Sequence, residues 1–267
     1  MTFKDWIYSS YPNPKINGQW GALHIITLLL CIGIIVTLAL TLRKRSLKAR
    51  RIVLFSLAGL IFLFELTRRI IIFSQMTDIT FNSFMGTLLP RPWCAIACWT
   101  IMIAVLVNKK TLYNFASFSA LLCAIIFFAY PGVGFNNKYI LFENLYSICT
   151  HALLLITSIT FITLKFTKFE YKTIWKDLIC YGVVLAYALL EIFVLKIESD
   201  PMYFMPGSDI QEILGIGYGA FLALYIIFII IYINLFYLID DRKNVKKLFK
   251  RKNAKEIDGA ENTQNLA

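Results

Sequence analysis

The chain has 267 residues, 58% of them apolar and 15% aromatic, and its mean hydropathy is +0.67. Soluble domains carry about 45–50% apolar residues, so the composition excludes an ordinary water-facing surface and points to the bilayer as solvent. The net charge of +11 does not mark a nucleic-acid binder, because the basic residues fall in short clusters between apolar runs and not on one folded face.

In chain order, residues 1–20 come first, a polar and aromatic stretch with Asp5, Pro12 and Pro14 and without the apolar core of a signal peptide. Trp6, Tyr8, Tyr11 and Trp20 suit the headgroup level, where rings with one polar end are favoured. Seven runs then approach the roughly 20 apolar residues that a helix needs to cross hydrocarbon. They are residues 21–41, 53–73, 84–107, 113–130, 145–164, 174–195 and 214–239. The third contains Leu89-Pro90-Arg91-Pro92-Trp93; proline removes a backbone donor, which predicts a broken or re-entrant helix resuming near Trp93. After residue 239 the tail turns basic, suited to anionic lipid heads, and then polar, with a disorder-like final stretch.

These runs predict an all-α polytopic membrane bundle of seven transmembrane helices in the cell membrane. An outer segment (1–20) precedes the membrane domain (21–239), and a cytoplasmic tail (240–267) follows it. Orientation comes from the positive charges. Lysine and arginine crowd residues 43–51, 109–110, 165–176 and 242–255, whereas the opposite loops hold only Lys4, Lys15, Lys138 and Lys196. The N-terminus is therefore expected outside and the C-terminus in the cytoplasm.

Ionisable groups at membrane depth are costly, which makes each one a candidate for function. The set is short: His24 in the first run, Glu65, Arg68 and Arg69 in the second, Arg91 and Cys94 at the third, His151 in the fifth and Glu191 in the sixth. The predicted topology puts nearly all of them toward the outer leaflet, with Glu65 and His151 near mid-depth, and a polar cavity open to the outer face is the expectation. Glu65 precedes Arg68 by three and Arg69 by four, so an intrahelical pair is available. That pair either only neutralises the helix or leaves one guanidinium to fork onto a lipid phosphate. Asn144, Ser147 and His151 form one helical stripe that can orient an imidazole, either to bridge helices or to act as a general base. Cys94 is either a small packing residue or, with His151 or Arg91 beside it, a nucleophile. No CxxC pair is present, and nothing in the sequence calls for a metal or another cofactor.

Several of these elements together resemble a known family. They are Gly21-Ala22-Leu23-His24 opening the first run, Leu89-Pro90 entering the third, the Pro131-Gly132 turn before the fifth, Phe142 through His151 within it, and Met202-Tyr203-Phe204-Met205-Pro206 before the last. In order and spacing, over residues 20–240, the chain is similar to the YwaF-type bacterial membrane proteins related to animal transmembrane protein 164. The resemblance implies seven helices, an outside N-terminus and a cysteine- and histidine-dependent acyltransferase acting on phospholipids, with His151 as the matching histidine. The animal pattern sets its cysteine directly after the proline, where this chain has Arg91. The bacterial Leu-Pro-x-His-x-Cys element is matched at Cys94, with Pro92 in the histidine position.

The expected function is thus an outer-leaflet polar cavity that handles a phospholipid or acyl group, with Cys94 and His151 catalytic. Arg68, Arg69, Arg91, His24, Glu65, Asn144 and Glu191 would hold the ligand, and membrane lipids are the partners. The alternative is a transporter or lipid-binding receptor that recognises an anionic ligand without catalysis.

Overall fold

The computed structural model describes residues 1–16, 18, 20–129, 134–197, 200 and 202–241; the Pro131-Gly132 turn and the basic tail after Asp241 lie outside them. Among the described residues the fold is helical, and the one isolated β-bridge joins Lys15 to Asn137. After the short α1 (Phe3–Ile7) come α2 (Ala22–Leu42), α3 (Leu47–Ser74), α4 (Phe81–Leu88), α5 (Trp93–Val107), α6 (Lys110–Ala129) and α7 (Phe142–Thr163). The chain continues through α8 (Ile174–Leu189), a π turn (Leu190–Val194), α9 (Asp209–Leu214) and α10 (Tyr218–Asp240).

By length and apolar composition five of these helices can cross a membrane, or six when α4 and α5 count as one bent span. The remaining expected span, α3, has 28 residues, but Glu65, Arg68 and Arg69 interrupt its apolar run.

α6 forms the centre, packed between α5 and α7 and against α8, while α3 lies against α5 and α7. Its apolar stretch is 72% buried, compared with 11% for α2 at the edge. This difference explains their chemistry. A central helix can carry Asn114, Ser117 and Ser119 because neighbours surround it, whereas α2, which packs mainly against α7 on one side, offers leucine and isoleucine over most of its surface.

The bend between α4 and α5 is 57° and falls at the prolines, as expected. Leu89, preceding Pro90, is extended (φ −74°, ψ 142°), the conformation that proline imposes on the residue before it. Pro92 then caps α5, and its carbonyl accepts the Ala95 amide at 2.8 Å.

Residues 1–16, expected at headgroup level, are pinned along the approach to α7. Asn13 accepts the Tyr139 amide and donates to the Tyr139 carbonyl, both at 2.9 Å. Trp6 Nε1 donates to the Ile140 carbonyl at 2.8 Å, and Ser9 Oγ accepts the Glu143 amide at 3.1 Å.

Candidate functional site

A helix that stops at a proline leaves carbonyls without amide partners, and inside a membrane those carbonyls need other donors. The α4–α5 break shows where they are found. Arg69 Nη1 donates to the Thr87 carbonyl and, at 2.8 Å, to the Leu89 carbonyl. Tyr187 Oη, which shares its one proton with a nearer acceptor on Glu191, lies 3.3 Å from the Pro90 carbonyl. Side chains from α3 and α8 thus complete what the proline interrupts, and the Arg69 cation stands at the negative end of α4.

Each of these side chains is held in turn. Arg69 Nη2 pairs with Glu65 Oε1 one turn earlier on α3, and Glu65 Oε2 accepts the hydroxyl of Tyr146 from α7. Tyr187 Oη also lies 2.8 Å from Glu191 Oε1, one turn on. A continuous polar chain therefore runs from Tyr146 through Glu65, Arg69 and the broken backbone to Tyr187 and Glu191. Glu65 and Glu191 are completely buried and Arg69 nearly so.

Arg68 faces elsewhere on α3. Its guanidinium lies 5.4 Å from the centroid of the Tyr146 ring, and among the described residues it makes no hydrogen bond or ion pair. Of the two arginines available to Glu65, the i+4 residue is the one used. Arg91 folds back over α4, so close to Gly86 that a β-carbon there would lie 2.8 Å from its Nη2; only glycine lets the guanidinium rest there undisturbed. From that position it is in electrostatic reach of Glu191, Tyr187 and Arg69. Cys94, the second residue of α5, is in similar reach of Glu65 and Arg68.

The structure therefore brings together Glu65, Arg68, Arg69, Arg91, Cys94 and Glu191 at one end of the bundle. Among the described residues no hydrogen bond or ion pair joins His24, Asn144 or His151 to this cluster. His24 is boxed by Trp20 (ring centroids 4.9 Å), Phe135 (4.5 Å) and Phe128 (5.9 Å). The oxygen Oδ1 of Asn144 caps its own helix by accepting the Leu141 amide at 3.3 Å, and it also takes a hydrogen bond from Asn13 at 3.2 Å. His151 stacks on Phe127 with centroids 4.0 Å apart, and among the described residues no hydrogen bond joins it to Cys94.

The two histidines differ in which nitrogen carries the proton. His24 Nδ1 accepts the Trp20 amide at 3.1 Å, so in the neutral ring the proton sits on Nε2. His151 Nδ1 lies 2.7 Å from the Ser147 carbonyl, which can only accept, so its Nδ1 is the donor and Nε2 keeps a lone pair. The orienting contact is the backbone carbonyl of Ser147, not a side chain of the Asn144–Ser147 stripe, and it leaves Nε2 as the basic atom.

Tyr146 and Tyr187 belong to the site and are absent from the sequence-derived set. Their signal lies in their need for a polar partner when buried: Tyr187 precedes Glu191 by one turn, and the proline break announces carbonyls in want of donors. Among the described residues, no group of three or more His, Cys, Asp or Glu side chains could hold a metal ion.

Comparison with curated proteins and with solved structures gives no match. The TMEM164 family, in contrast, matches residues 19–240, a stretch holding α2 through α10 and the whole charged cluster, and the chain belongs to that family.

Proposed function

We propose that this protein crosses the cell membrane seven times, α3 and the bent α4–α5 pair included, with its N-terminus outside and its tail in the cytoplasm. The Arg69 end of the bundle then faces the outer leaflet. There the protein binds the anionic headgroup of a phospholipid and transfers an acyl group. Arg68 carries this reading: a half-buried guanidinium with no oxygen partner among the described residues, in electrostatic reach of a cysteine, suits a phosphate whose acyl ester reaches the thiol.

In the proposed reaction the Cys94 thiol attacks the ester carbonyl, the ester C–O bond breaks, and the alcohol leaves with the thiol proton. A second lipid hydroxyl then attacks the thioester. His151 Nε2 takes the hydroxyl proton and returns it to the departing sulfur. Cys94 thereby recovers its thiol, and atoms balance over the cycle.

A second reading, anionic-lipid binding without catalysis, is favoured by the engagement of His151 with Ser147 and Phe127 and not with Cys94. One experiment separates the two. Membranes from cells expressing the wild type, Cys94→Ala or His151→Ala are assayed for hydroxylamine-labile acyl adducts and for phospholipid acyl composition. Acyl transfer predicts an adduct and altered lipids for the wild type only, apart from a residual adduct in His151→Ala. Identical lipids in all three, with no adduct, leave binding as the function, and Arg68→Ala should then reduce retention of anionic phospholipid.

A further inference from the structure

The polar chain at the Arg69 end uses nearly all of its hydrogen-bonding capacity, which makes the remainder informative. Both terminal nitrogens of Arg69 are engaged, and its Nε–H has no partner among the described residues. Glu191 spends Oε1 on Tyr187, and its Oε2 has no partner among them either. Both side chains are more than nine-tenths buried, and both attach to the same break, Arg69 at the Leu89 carbonyl and Glu191 through Tyr187 at the Pro90 carbonyl. A charged group left unsatisfied in a protein interior costs more than a neutral one, so a stranded donor and a stranded acceptor on one break call for an occupant.

Chemistry narrows that occupant. A phosphate would accept from Arg69 and be repelled by Glu191, whereas an ammonium would donate to Glu191 and be repelled by Arg69. A hydroxyl accepts through a lone pair and donates through its proton, and so answers both. The π turn at Leu190–Val194 holds the acceptor: it inserts an extra residue into the helical path at Glu191, whose carbonyl accepts the Ile197 amide at 3.1 Å.

We propose that Arg69 Nε–H and Glu191 Oε2 form a subsite for a single hydroxyl group, supplied by the glycerol alcohol of a lipid or by a water. The lipid source rests on the reading of this end as lipid-facing; the subsite itself does not depend on acyl transfer.

The test uses the full chain carrying Cys94→Ala, which removes any turnover, in phosphatidylcholine nanodiscs. Native mass spectrometry compares retention of a monoacyl glycerophosphocholine bearing a free glycerol hydroxyl with its deoxy analogue. A lipid occupant predicts a preference of about tenfold for the hydroxyl form, the effect of one hydrogen bond to a charged group. Glu191→Gln, which keeps the size of the side chain, and Tyr187→Phe, which frees its anchor, should both reduce that preference. Arg68→Ala should weaken retention of both lipids alike and leave their ratio unchanged.

A water occupant predicts no preference, together with density for a solvent oxygen between Nε and Oε2 in a high-resolution map of the same discs. Absence of both the preference and the density overturns the subsite. Loss of retention of either lipid, with density still present, instead removes the lipid-binding reading and leaves the subsite standing.

Discussion

The two ends of the bundle solve the same problem, buried backbone that lacks helical partners, with different chemistry. At the Arg69 end a proline breaks a span, and a guanidinium with its carboxylates repairs it, leaving an unpaired donor and acceptor. At the opposite end the loop between α7 and α8 is closed mainly by amide and carboxylate caps. Asn114 of α6 donates to the Lys168 carbonyl at 3.0 Å and accepts its amide at 2.9 Å. Asp240 and Asp241, at the end of α10, each accept a loop amide at 3.0 Å, from Phe169 and Tyr171. One buried carboxyl, Asp177, takes the Tyr237 hydroxyl. The lesson is about placement: charge sits where a span is interrupted and side chains reach into the membrane, while short caps suffice where backbone meets backbone at a loop.

The sharpest way to break this comparison is Glu65→Ala. It strands Arg69 in a buried site and should destabilise the protein by about 3–5 kcal/mol. Thermal unfolding in detergent would reveal this, and a shift no larger than that of a surface variant would show that the charged end is not structural. Asp177→Ala at the other end strands only the Tyr237 hydroxyl and should cost about 1–3 kcal/mol by the same assay. Equal losses at both ends would erase the distinction.

Asn13→Ala should cost about 1 kcal/mol and act locally, loosening residues 1–16 while Trp6 and Ser9 still hold them. Limited proteolysis should cut that segment faster while the bundle stays intact. The smallest effect concerns pH. Lys168 donates to Glu170 and Lys172 pairs with it at 3.3 Å, which holds the half-buried Glu170 carboxyl below its ordinary value. A depressed carboxylate contributes stability above its unfolded pKa and loses it as pH falls through its folded value. Hydrogen exchange in the loop should therefore quicken, beyond its intrinsic pH dependence, only on acidification below about pH 4.5. Quickening at neutral pH would contradict the pairing.

Much of this architecture was legible in the sequence, and the reasons differ by residue. The break near Pro90 could be read because proline lacks an amide hydrogen whatever surrounds it. That Arg69 and not Arg68 pairs with Glu65 could not, since both spacings permit it; the choice follows the direction of the carbonyls at Thr87 and Leu89. Asn144 looked free to hold a ligand until Asn13, 131 positions earlier in the chain, proved to be its partner. Asp177 resembles an ordinary charge in the first turn of a helix, and only Tyr237, 60 residues later, makes it an interior group. His24 shows the same limit, because its aromatic box is assembled from residues more than a hundred positions downstream as well as from Trp20.

The grip of Arg69 on the α4–α5 break also bears on how the chain is built. During synthesis α3 emerges before residues 81–93 exist, so one face of its guanidinium has no carbonyls to meet, although Glu65 is already present on the same helix. In the proposed seven-span topology a cation in that state is costly in hydrocarbon, so α3 is expected to settle only together with the proline-broken α4–α5 segment.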